Sequence, residues 1–145
     1  MKNLKLLFSA ILLVALVASC KKDTTDDRAQ FLGTWTGTIN SIVPDLSSNT
    51  SKAETLTITA GTASSSQIIL TQTGSTVILT GNVSGNKYTY IEYTSIGTTN
   101  GIAVSIKQNG TGTLNGNIIT ESGTLVYTIG TAVYQGTWSS SLTKQ

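Results

Sequence analysis

The sequence predicts an all-β protein whose main part is an antiparallel up-and-down β-barrel of eight to ten strands. Three observations carry that expectation. From residue 31 onward, apolar residues alternate with Thr and Ser in run after run, the period of strands with one buried face. Short turns rich in Gly and Asn separate the runs, and no stretch keeps helical spacing, so successive strands join as hairpins. Related segments, Gly33-Thr34-Trp35 and Gly136-Thr137-Trp138, open and close this region and hold its only two tryptophans. A meander whose first and last strands meet edge to edge leaves no unpaired edge. A β-sandwich is the alternative, and it requires longer connections between sheets.

The barrel is preceded by a leader. Lys2 and Lys5 make its start basic, residues 6–17 are apolar apart from Ser9, and Val17-Ala18-Ser19-Cys20 follows. That order marks a secretory signal, and the apolar run falls short of the ~20 residues that span a bilayer. Val17-Ala18-Ser19-Cys20 resembles the bacterial lipobox. The resemblance implies cleavage before Cys20, lipid attachment to its thiol and acylation of the new N-terminus. A membrane is then the first partner, since more than one acyl chain gives stable anchoring. The expected organisation is a lipoprotein signal peptide over 1–19, the lipidated Cys and a disordered tether over 20–30, and the barrel over 31–145. Residues 21–28 are polar and charged, as a tether requires. They resemble the acidic segments behind the Cys of Bacteroidota surface lipoproteins, which implies the cell outer membrane and exposure at the surface. A solvated linker without address is the other reading. Cys20 is the only Cys, so no internal disulfide can form.

The first strand is expected over about 31–42. Phe31, Gly33, Trp35, Gly37 and Ile39 share one face of it, and two glycines leave room around the indole. Residues 44–52 form a polar loop, the longest of the domain, either a plain connection or a lid over a barrel mouth. Further strands are expected over 54–60, 67–72, 76–83 and 87–94. Asn100-Gly101, Asn109-Gly110 and Asn115-Gly116 are hairpin signals that separate strands at 102–107, 111–114 and from 117 on. Gly123 suggests a bulge or bend between 118–121 and 124–129. The final strand covers 133–142.

Gly33-Thr34-Trp35 on the first strand matches the Gly-x-Trp signature of lipocalins. Together with Gly110-Thr111-Gly112-Thr113-Leu114-Asn115-Gly116 and the closing Gly136-Thr137-Trp138, the chain resembles small lipocalin-like lipoproteins of Bacteroidota. The resemblance implies a barrel that binds a small apolar molecule. In lipocalins an Arg of the last strand packs on the Trp; here the last strand offers Lys144.

Composition excludes several function classes. Residues 29–145 carry four Lys against four carboxylates, so the basic patch that a nucleic-acid partner needs is missing. The chain has no His, which removes the commonest general base and metal ligand. Glu92 and Glu121 are the best candidates for a facing carboxylate pair, but as strand carboxylates they are expected to point outward. No enzyme, cofactor or metal site is expected. The candidate ligand contacts are Tyr88, Tyr90 and Tyr93: Tyr88 and Tyr90 share a face with Glu92, and Tyr93 lies on the other. Which face points inward is open. Gly33, Trp35, Gly136 and Trp138 are expected to close the barrel. The expected function is non-catalytic binding of a small apolar molecule at the cell envelope. A filled barrel acting as an interaction module, or a glycan binder using surface aromatics, are the alternatives. Oligomeric state is open.

Overall fold

The computed structural model describes residues 26–99 and 101–145. The leader, Cys20 and residues 20–25 of the expected tether lie outside the described residues. Among the described residues there are nine strands: β1 (Gly33–Val43), β2 (Ser48–Ala60), β3 (Gln67–Gln72), β4 (Ile78–Ser84), β5 (Lys87–Tyr90), β6 (Tyr93–Thr99), β7 (Ile102–Asn115), β8 (Ile118–Ile129) and β9 (Ala132–Lys144). Their order is β5-β4-β3-β2-β1-β9-β8-β7-β6, with β5 also paired to β7. The result is a closed antiparallel barrel of eight strands with β6 as one extra. The two Trp-bearing strands are neighbours: Trp35 stands opposite Lys144 and Ser41 opposite Trp138.

Alternation decides which side chains fill the bore. Trp35 on β1, Leu56 and Ile58 on β2, Ile68 and Leu70 on β3, Ile119 on β8 and Leu142 on β9 are at most 2% exposed. With Phe31 they make a solid plug at one end. Burial of each such side chain contributes roughly 1.5–3 kcal/mol. Residues 26–30, expected in the tether, already pack on this end. The Arg28 guanidinium donates to Gly61 O and Ser64 O, and Gln30 Nε2 to Gly85 O at 2.7 Å.

Several expected boundaries move. Residues 44–52 are not a loop. Pro44–Leu46 is a single 3-10 turn with Pro at its start, where a missing N–H costs nothing. Ser47 takes a left-handed φ of 50°, and Ser48 is already opposite Val43. Asn109-Gly110 and Gly123 do not interrupt anything either. Both lie inside continuous strands, with Gly110 facing Gly123 across the β7–β8 ladder. The glycines serve packing: a Cβ on Gly110 would come 2.7 Å from Trp138 Cζ2, and one on Gly123 2.6 Å from Trp138 Nε1. Gly101 and Gly116, at φ +78° and +61°, do make the turns expected of them.

The expected strand over 87–94 is broken in two. Tyr88 pairs with Gly112 and Thr89 with Thr111, a register that sets Tyr90 opposite Gly110. Tyr93 nevertheless pairs with Gln108. Ile91 and Glu92 therefore occupy the space opposite Asn109 alone, as in a β-bulge. β5 and β6 run end to end along β7, but only β5 keeps its ladder to β4, which ends at Gly81 and Tyr90, plus the bond from Ile91 N to Thr80 O. Beyond the bulge β4 and β6 have no ladder between them.

Candidate functional site

A cavity of about 190 Å³ lies in the half of the bore away from the plug. Its apolar wall comes from Ile39 of β1, Leu56 of β2, Leu79 of β4, Ile106 of β7 and Trp138 of β9. Ser75 and Val77 of the β3–β4 connection and Tyr93 and Ser95 of β6 line it where β4 and β6 part. These four residues are half-buried, so the split in the wall forms the mouth.

The bulge aims the tyrosines. Without it, Tyr88 and Tyr90 would share a face with Glu92. The extra residue reverses the phase, so that Tyr88, Tyr90 and Tyr93 all turn inward while Glu92 points to solvent and meets Lys107 Nζ at 3.2 Å. Tyr88 and Tyr90 are buried. Tyr88 lies over Gly112, where a Cβ would come 2.5 Å from its Cε1. An edge-to-face aromatic series runs from plug to cavity. Phe31 to Tyr88 is 5.3 Å, Tyr88 to Tyr90 5.5 Å and Tyr90 to Trp138 5.5 Å, all near-perpendicular, the arrangement ring quadrupoles favour. Of the three candidate contacts, Tyr90 and Tyr93 line the cavity, while Tyr88 supports it from below.

Glu121 is the correction at the centre of the site. It does not face solvent. It is 4% exposed, and its carboxylate accepts from three hydroxyls: Tyr88 and Tyr90 on Oε1, Ser140 on Oε2. These donors replace the water that burial removes. Burial first, then the charge of Glu121, push both tyrosine hydroxyls well above their usual range, so they stay protonated as donors. A second carboxylate, Glu54 of β2, also lines the cavity. Its Oε2 is buried without a hydrogen-bond partner among the described residues. Burial, and next the charge of Glu121, raise its carboxyl from the usual 4.5 to about 7. Opposite Glu54 stands Gly37 of β1, where the β9 backbone leaves no room for a side chain: a Cβ would come 1.9 Å from Ser141 O.

Alternation held the signal for both carboxylates. Glu54 shares a face with Leu56 and Ile58, and Glu121 with Ile119 and Leu125, all of which are buried.

The other expected residues sit at the seam. Trp35 is fully buried and its indole N–H donates to Phe31 O at 2.7 Å. Lys144 Nζ lies 5.3 Å from its ring centroid, within cation–π reach. Gly33, at φ +127°, borders that lysine. Gly136 lets the end of β1 approach: a Cβ there would be 2.5 Å from Ile42 O. Trp138 both packs the seam and lines the cavity, its N–H bonded to Asn109 O at 2.9 Å.

No protein-family model matches this sequence, and no curated protein does. Among solved structures, the chain is similar to a protein of unknown function from the DUF3598 family of Nostoc punctiforme, with a TM-score of 0.47 and 12% identity. The match covers 81% of this chain and 48% of that one, so this chain spans about half that protein's length.

Proposed function

We propose that this protein is a lipid-anchored protein of the outer membrane that binds a small, mostly apolar molecule without transforming it. The cavity carries this reading. A cavity of about 150 Å³ with wholly apolar walls suffices to take up benzene; this one is somewhat larger, and Glu54, Glu121, Gln72 and Gln108 join its aliphatic walls and indole face. On that scale its size suits a molecule of roughly eight non-hydrogen atoms. The lipobox at Cys20 supports the anchoring. Because residues 26–30 pack on the plugged end, an anchor at Cys20 joins that end to the membrane and leaves the mouth on the opposite half. The chain departs from the lipocalin pattern at one point, since Lys144 and not an Arg lies over Trp35. Surface glycan binding has less to stand on, since Trp35, Trp138, Tyr88 and Tyr90 are all buried.

Native mass spectrometry of the protein purified from its own envelope tests the reading. One bound small molecule per chain is expected, displaced by propylbenzene and lost in Leu79→Trp, whose larger side chain fills the cavity. A chain that carries no such mass and takes up no propylbenzene would sink the proposal. Labelled palmitate should enter the wild type and not Cys20→Ala; labelling that survives the substitution refutes the anchor.

A further inference from the structure

We infer that the molecule held in this cavity is a small cationic amine with an aromatic or aliphatic body, its ammonium group placed between Glu54 and Glu121. The inference rests on the cavity-binding reading and names the ligand class for it.

The first argument is charge balance. Two carboxylates reach one small cavity from β2 and β8, and no Lys or Arg lines it. Each lysine of the described chain is accounted for elsewhere. Lys52 and Lys87 are exposed, Lys107 pairs with Glu92 outside, and Lys144 sits over Trp35 at the plug. Burying a carboxylate without a counter-charge is costly unless hydrogen bonds replace water. Glu121 has three hydroxyl donors, but Glu54 Oε2 has none. A ligand ammonium would supply both the missing donor and the missing charge.

The second argument is the wall. Tyr90, Tyr93 and Trp138 surround the same space, and aromatic faces attract ammonium groups, most strongly where water is excluded. Ile39, Leu56 and Ile106 leave an apolar surface for the rest of the molecule. A bare metal ion fits less well. Among the described residues no group of three or more metal-ligating side chains comes together, and the volume far exceeds what one ion needs.

The test titrates the full chain by calorimetry with three probes of similar size: 2-phenylethylammonium, the isosteric 2-phenylethanol, and propylbenzene. The ammonium is expected to bind at least about tenfold more tightly than the alcohol. Glu54→Gln and Glu121→Gln should each remove most of that advantage, lowering ammonium affinity far more than propylbenzene affinity. Glu121→Gln keeps an acceptor for the hydroxyls, and if it fails to fold, Glu54→Gln near the mouth gives the same readout. The wild type offers a further check without any substitution. The titratable groups facing Glu54 are Glu121, Tyr88, Tyr90 and Tyr93, and the Glu54 carboxyl loses its proton at about 7. Ammonium binding should therefore tighten as pH rises from 6 to 8, while propylbenzene binding stays flat. If propylbenzene or the alcohol binds as tightly as the ammonium and the Gln variants change nothing, the amine inference is overturned while the cavity reading stands. If none of the three binds, both are overturned.

Discussion

Glu54 couples the fold to pH. Unfolded, its carboxyl gives up a proton near 4.5; folded, it holds that proton to about 7. Its contribution to stability is thus complete below about 4.5 and is lost as pH rises through 7. The ligand-free protein should melt at a higher temperature at pH 5 than at pH 8. Glu54→Gln should flatten that slope and stabilise the protein at pH 8 by about 1–2 kcal/mol, a figure reduced for the partial exposure of the side chain. Thermal melts across this range decide the matter: equal slopes in wild type and variant would refute the assignment to Glu54. The two carboxylates also show how far the site was legible. Charged side chains are seldom fully buried, and that general rule places Glu121 outside. It fails here because Tyr88, Tyr90 and Ser140 solvate the carboxylate from within the bore. Only the spacing to Ile119 and Leu125 marked it as inward. Tyr88, Tyr90 and Tyr93 stood out in the sequence as a set, but their common direction depends on a one-residue bulge at Ile91 and Glu92 that no alternation pattern reveals.

At the scale of elements, β7, β8 and β9 are held together by a tryptophan seated on two glycines. Trp138 rests where Gly110 and Gly123 face each other. Gly123→Ala should cost about 1–3 kcal/mol, because the new methyl meets the indole and the β7 backbone and the strands must separate. Gly97→Ala, in β6 with open space around it, should stay within about 0.5 kcal/mol of wild type. Chemical denaturation of both variants measures the contrast, and equal losses would show that the Trp138 seat is unimportant. The same residues explain which element boundaries the sequence conveyed. β3 runs over Gln67–Gln72 as expected, because a short apolar run rich in Ile is bounded by turn residues on both sides. Asn109-Gly110 reads as a turn because glycine serves two purposes, a positive φ or the absence of a Cβ, and composition does not separate them. The outer part of the β1–β2 hairpin went unseen for another reason. Ser41 and Thr50 are hydroxyls bonded to each other at 2.7 Å, and a strand that is polar on both faces carries no alternation to read.

For the whole molecule, closure was legible in the two Gly-Thr-Trp segments. The position of the cavity was not, since it follows from where β4 and β6 diverge. The β1–β9 seam has a further consequence, which concerns time rather than shape. Its partners, Trp35 with Lys144 and Thr36 with Thr143, stand about a hundred residues apart in the chain. Contacts so distant in sequence form late and slow the search for the native state. The hairpins β7–β8 and β8–β9 can assemble locally. β1 must meanwhile wait for the final strand with one edge bare, and a bare edge invites pairing with another chain. The interval between the emergence of β1 and the arrival of β9 is when that edge stands open to another chain, and a chaperone that covers a single strand edge would protect it then.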